Sequence, residues 1–198
     1  EKKNKAVVLF SGGIDSTTAL YWALSNFGGA TALTVHYAQR HNIEVQMAER
    51  IANRLNIEFR PVVFPLKDIV YSALIDNEKE IPNSLSTSKN EEGVPFTYVP
   101  FRNGIFLSLA AAFAESRGIT DIVTGFNLVD TPDYPDTTEE FTKKMEEELK
   151  SLRDIDGEPF NLIALPMCSP VFYDDERLPG TYANFLIIND AVLLPVYN

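Results

Sequence analysis

The sequence predicts an α/β fold, a parallel β-sheet with helices on both faces, followed by a short β-rich C-terminal segment. Three observations carry this. Short apolar runs alternate with stretches of helical periodicity from residue 6 to about residue 152. The first run, Val7-Val8-Leu9-Phe10, passes straight into Ser11-Gly12-Gly13-Ile14-Asp15-Ser16, a glycine pair at a strand–helix junction. After Lys150 the alternation stops: no lysine follows, and five of the 12 prolines fall in the last 48 residues.

Each element has a local reason. Residues 6–10 read as a buried strand, being apolar and bounded by glycine. Residues 16–26 read as a helix with Leu20, Ala23, Leu24 and Phe27 on one stripe, stopped by Gly28-Gly29. The β-rich run 31–37 gives the second strand, and residues 43–55 carry Val45, Ala48, Ile51, Ala52 and Leu55 at helical spacing. Residues 58–64 form the third strand. Residues 77–97 are polar and hold Pro82 and several serines, so a loop beside the site is expected there. An apolar helix over 103–117 ends at Gly118, a strand covers 120–125, and a charged helix over 138–152 shows Phe141, Met145, Leu149 and Leu152 on one face. Short strands are expected at 160–165, 182–188 and 191–197, the last two joined by Asn189-Asp190 as a hairpin turn. A division near 150 separates the alternating unit, 1–150, from the β-rich segment, 151–198.

Composition narrows the classes. The 198 residues are 45% hydrophobic, enough for a core. No apolar run is long enough for a membrane span, and no export-type leader is read, so a cytoplasmic protein is expected. A net charge of −11 disfavours a broad grip on nucleic acid. The single cysteine, Cys168, excludes an internal disulfide and a multi-cysteine metal site within these residues.

The chemistry concentrates at predicted strand ends. The glycines of the Ser11–Ser16 loop permit a tight turn and close backbone approach to a ligand. Ser16 and Thr17 then stand at a helix start, where unpaired N–H groups and the positive dipole end favour an anion. Asp15 offers a cap, or a contact to a metal or to ammonium. No Gly-Lys-Ser/Thr follows, so this phosphate cradle lacks the lysine of the Walker pattern. Tyr37-Ala38-Gln39-Arg40-His41 follows the second strand and supplies cationic partners for phosphate or carboxylate. Thr97-Tyr98-Val99-Pro100-Phe101-Arg102-Asn103 precedes the apolar helix, with Arg102 for a phosphate and Asn103 as a cap. Gly125-Phe126-Asn127-Leu128-Val129-Asp130 and Asp133-Tyr134-Pro135-Asp136 offer oxygen ligands for a base edge or Mg²⁺, or plain Asx-turn chemistry.

Ser-Gly-Gly-x-Asp-Ser resembles the pyrophosphate loop of the N-type ATP pyrophosphatases. Taken with the other three clusters, residues 5 to about 145 resemble the 7-cyano-7-deazaguanine synthase family of queuosine biosynthesis. The resemblance implies a Rossmann-like, adenine nucleotide alpha hydrolase-like domain. It also implies a ligase that uses ATP, with Mg²⁺, to convert 7-carboxy-7-deazaguanine and ammonia to 7-cyano-7-deazaguanine. Phe10, Ser11, Gly12, Gly13, Ile14, Asp15, Ser16, Thr17, Thr18, Ala19 and Leu20 then match the nucleotide segment, joined by Arg40, His41 and Asn127. Asp15, Arg102 and Asp136 are the implied catalytic positions. The partners implied are small molecules, with neither nucleic acid nor membrane, and a homodimer is left open. The family also implies a four-cysteine zinc region, whose ligands this chain does not carry.

Residues from about 146 on resemble something else. Asp154-Ile155-Asp156-Gly157-Glu158-Pro159-Phe160, Leu165-Pro166-Met167 and Arg177-Leu178-Pro179-Gly180-Thr181-Tyr182-Ala183-Asn184-Phe185-Leu186-Ile187 are similar to a piece of agmatine deiminase. That family's catalytic cysteine and His-x-Asp pair fall outside the stretch. Two rival readings therefore stand beside the ligase: a guanidine-hydrolysing deiminase, and a non-catalytic ATP-binding unit.

Overall fold

The computed structural model describes residues 4–37, 43–70, 98–125, 134–154 and 156–165, together with the backbone of short strands between 171 and 193. Five strands, β1 (Ala6–Leu9), β2 (Ala30–His36), β3 (Glu58–Val63), β4 (Asp121–Thr124) and β5 (Asn161–Ala164), form one sheet in the order β3-β2-β1-β4-β5. Every pairing in it is parallel. The connecting helices are α1 (Ile14–Asn26), α2 (Ile43–Arg54), α3 (Arg102–Glu115) and α4 (Glu139–Ser151).

Side-chain alternation along β1 explains the layering. Ala6, Val8 and Phe10 point to one face, where Ala19, Leu20 and Ala23 of α1 and Ala48 and Ala52 of α2 cover them. Val7 and Leu9 point to the other, against Leu107, Ala110 and Ala114 of α3 and Leu149 of α4. The apolar strands are buried on both sides, as a parallel sheet requires. Trp22 of α1 packs against the first core and meets Phe27 edge to face at 6.1 Å.

Within the parallel sheet and its helices the predicted elements appear within a residue or two, with instructive differences. Helix α1 starts at Ile14, two residues before the expected start, because Gly13 in extended conformation already serves as its N-cap. Leu152 was expected on the buried face of α4 but is 51% exposed, because it is the extended residue that ends the helix. Asn103 does not cap α3; Phe101 holds the cap position, and Asn103 lies inside the helix.

Strand β5 pairs along β4 from Asp121↔Asn161 to Thr124↔Ala164, with α4 as the crossover. The sheet thus continues past the change of composition near residue 150. Beyond it, β6 (Val171–Tyr173) pairs antiparallel with β7 (Glu176–Leu178), a hairpin the sequence reading lacked. Likewise β8 (Leu186–Ile188) pairs antiparallel with β9 (Ala191–Leu193), the hairpin expected around Asn189-Asp190. Residues 77–97 lie outside the described residues.

Candidate active site

The strand order reverses between β1 and β4: the chain moves outward from β1 to β2 and β3, then returns to the other side of β1. Loops leaving two adjacent strands at such a switch point diverge and leave a crevice beyond the carboxyl ends. The Ser11–Gly13 loop leaves β1 there, and Gly125 leaves β4 beside it.

The loop is organised by its own hydroxyls. Ser11 N–H donates to Ser16 Oγ at 3.2 Å, and Gly13 N–H donates to Ser11 Oγ at 3.2 Å. Ser16 Oγ–H and Thr17 Oγ1–H donate to the Gly13 carbonyl at 3.0 and 2.8 Å. These bonds fold the chain over the start of α1, whose first-turn N–H groups have no acceptor within the helix. Asp15 lies in that first turn.

Two glycines set the approach distances. Gly12 has φ +83°, and a Cβ there would stand 2.9 Å from Ala48 N and 3.0 Å from Glu44 O of α2. The loop therefore lies directly against the α2 backbone. A Cβ on Gly125 would stand 2.6 Å from the Asp15 carbonyl oxygen, so the chain leaving β4 touches the start of α1.

Beyond the strand ends, between the starts of α1, α2 and α3, lies a cavity of about 380 Å³. Its polar lining includes Ser11, Ser16, Thr34, Tyr37, Arg102 and Thr124. Thr34 is buried and its hydroxyl donates to the Phe10 carbonyl at 2.6 Å, tying the end of β2 to the end of β1. Arg102 Nη1 donates to the Tyr37 hydroxyl at 3.2 Å, and the Tyr37 ring packs on Phe106 at 5.4 Å. Asp136 is buried behind this wall, and burial pushes its carboxyl above the ordinary range, opposed by the Asn103 N–H and the Arg102 charge. Burial likewise raises the Tyr98 phenol, whose oxygen accepts the Phe101 N–H at 3.0 Å.

Of the residues the sequence singles out, Phe10, Ser11, Ser16 and Arg102 line the cavity. Ile14, Thr17 and Thr18 turn instead to an open groove along the outer side of α1. Ala19 and Leu20 are fully buried against the sheet, where they pack α1. Arg40, His41 and Asn127 lie outside the described residues. Thr34, Tyr37, Phe106, Thr124 and Thr137 also line the cavity and were not named as site residues. Their shared signal is position, because they stand at the carboxyl ends of strands or at helix starts.

Among the described residues no group of three or more His, Cys, Asp or Glu side chains could hold a metal ion. Cys168 is the chain's one cysteine and lies outside the described residues. One thiolate does not make a four-cysteine zinc site. Among the described residues no helix is long and apolar enough to cross a membrane.

The profile of the family described as "Queuosine biosynthesis protein QueC" matches residues 5–168, past the end of β5 and well beyond residue 145. A 7-cyano-7-deazaguanine synthase from Thermoplasma volcanium is 45% identical over 145 residues, 73% of this chain and 59% of the relative. One from Syntrophobacter fumaroxidans is 46% identical over 147 residues, covering 74% and 62%. One from Stutzerimonas stutzeri is 39% identical over 165 residues, covering 82% and 71%. The chain thus spans about 60% of the length of the first two relatives. A solved 4-thiouridine synthetase–RNA complex with bound ATP superimposes with a TM-score of 0.49 at 19% identity, over 82% of this chain and 36% of that one. With its family profile running across the whole parallel sheet, the chain belongs to the QueC queuosine biosynthesis family.

Proposed function

We propose that the chain carries the ATP-using site of a 7-cyano-7-deazaguanine synthase, joining 7-carboxy-7-deazaguanine to ammonia and dehydrating the product to the nitrile. The observation that carries this is the coincidence of the family match with the serine–glycine loop over the start of α1, at the mouth of the cavity. The loop and the helix start would hold the phosphates of ATP. Mg²⁺ would arrive on those phosphates, with Asp15 as the nearby carboxylate of the loop. Arg102 would neutralise charge on the carboxylate as its oxygen is activated. Ammonia then replaces the activated oxygen to give the amide, and a second activation of the amide oxygen lets it leave, forming the C≡N bond. No side chain acts as a covalent nucleophile in this scheme, so positioning and charge neutralisation supply the catalysis. Arg40, His41 and Asn127 are proposed to complete the nucleotide site, and a cytoplasmic setting fits the reaction.

Deiminase chemistry is not proposed. The stretch that resembles agmatine deiminase contains no histidine, since both histidines of the chain, His36 and His41, precede it.

The test is pyrophosphate release measured with ATP, the carboxylate substrate and ammonium, together with mass spectrometry of the nitrile. Release that requires all three components is the expected result. ATP binding without substrate-dependent release would leave a nucleotide-binding unit and overturn the ligase reading.

A further inference from the structure

Helix α3 presents Arg102 to the cavity, yet its own cap residue does not secure it. Phe101 sits at the N-cap in the left-handed region, φ 55° and ψ 25°, and makes no side-chain cap bond. A bulky side chain at positive φ is uncommon and persists only where neighbours hold it. An ordinary N-cap side chain accepts the N–H of the second or third helical residue. In α3 the second residue is Asn103, and its N–H donates to Asp136 Oδ2 at 2.8 Å. The Asn103 side-chain Nδ2 donates in the same direction, to the Asp136 carbonyl at 3.0 Å. Both residues are buried, and Asp136 is only 3% exposed. On the same side, the Phe101 ring meets Phe141 of α4 edge to face at 5.9 Å, and Tyr98 stacks on Tyr134 at 5.5 Å. The segment that carries Asp136 therefore clasps the start of α3 at three places.

We propose that Asp136 is a positioning residue: it caps α3 from the neighbouring segment and thereby sets the Arg102 guanidinium against the Tyr37 hydroxyl and the cavity. This rests on the proposed role of Arg102 in the ligase reaction. It moves Asp136 from the reacting groups to the frame behind them, since Arg102 and Asn103 line the cavity and the Asp136 carboxylate is spent on a helix amide. The helix start, with its partial positive charge, is a favourable setting for that carboxylate.

The test compares Asp136→Asn, Asp136→Ala, Arg102→Gln and the double variant Asp136→Ala/Arg102→Gln. Asn keeps an acceptor oxygen for the Asn103 N–H, and Ala keeps none. NMR of the Arg102 Nε–H and amide exchange at Asn103 report the cap without any turnover. Loss of one cap bond predicts about tenfold faster exchange at Asn103 in Asp136→Ala, with Asp136→Asn close to the parent. The Arg102 signal moves in the Ala variant alone. In kinetics, Asp136→Ala lowers kcat/KM about tenfold in the parent and leaves it unchanged when Arg102 is already Gln, because the two act as one unit. An unmoved Arg102 signal, additive kinetic losses, or equal collapse of kcat in the Asn and Ala variants would overturn the proposal. Absence of turnover in the parent chain would count against the ligase reading alone, since the NMR and exchange readouts still decide the cap.

Discussion

The two ends of the parallel sheet treat their polar side chains in opposite ways. At the amino ends of the strands, Glu58 of β3 accepts from Arg60 at 2.7 Å, from Arg117 at 3.4 Å and from Thr31 at 3.2 Å. Asn161 of β5 donates to Asp121 of β4 at 3.0 Å, and the Arg117 guanidinium lies 4.9 Å over the Phe113 ring. These groups satisfy one another at the surface. At the carboxyl ends, hydroxyls, helix starts and Arg102 converge on a cavity, and the backbone is brought together so closely that two positions admit only glycine. The same kinds of residue are present at both ends; what differs is whether their hydrogen bonds close on themselves or frame an opening.

That contrast can be broken from the carboxyl end first. Gly125→Ala puts a methyl group 2.6 Å from the Asp15 carbonyl, so β4 and α1 must separate. A displacement near 1 Å at a reacting site costs about 100-fold in rate, and kcat/KM for pyrophosphate release is expected to fall by that order. Arg102→Gln removes a charge-assisted donor at the cavity wall; kcat/KM for the carboxylate substrate is expected to fall about 10- to 100-fold with the melting temperature little changed. Ser16→Ala removes the hydroxyl that joins Ser11 to Gly13, and ATP affinity is expected to weaken about fivefold, the value of one hydrogen bond.

The amino end should respond least. Glu58→Gln is expected to cost no more than about 0.5 kcal/mol in denaturant unfolding, because half-exposed ion pairs are screened by water. ATP affinity should not change. The Arg60 bond holds the Glu58 carboxyl below its ordinary value of 4.5. Its small contribution is therefore present above pH 4.5 and lost as pH falls through the lower folded value, and the Gln variant should lose that acid dependence. A large effect of Glu58→Gln on ATP binding would erase the distinction between the two ends.

Sequence legibility follows the range of the interaction. The strand–helix alternation could be read because an apolar run and the glycine that stops a helix lie within a few residues of one another. The Ser11–Ser16 loop could be read for the same reason, since its hydrogen bonds span no more than five residues. The clasp between Asn103 and Asp136 spans 33 residues, and nothing in either local sequence announces it. Thr34 and Thr124 resemble any threonine in a strand until the sheet order places both at the cavity. Strand β5 could be read as a short strand, but not as part of the parallel sheet. The change in composition begins before it, yet an edge strand needs only apolar residues and a neighbour with free backbone groups, and β4 supplies these.

One residue of α1 has a practical consequence. Trp22 is the single tryptophan of the chain, and it lies on the helix whose first turn carries the proposed phosphate cradle. Its indole rests against the core beneath α1 and against Phe27. Intrinsic fluorescence excited at the red edge of protein absorption thus comes from α1 alone. A spectral change on adding nucleotide can be assigned to the loop-bearing helix without introducing a label.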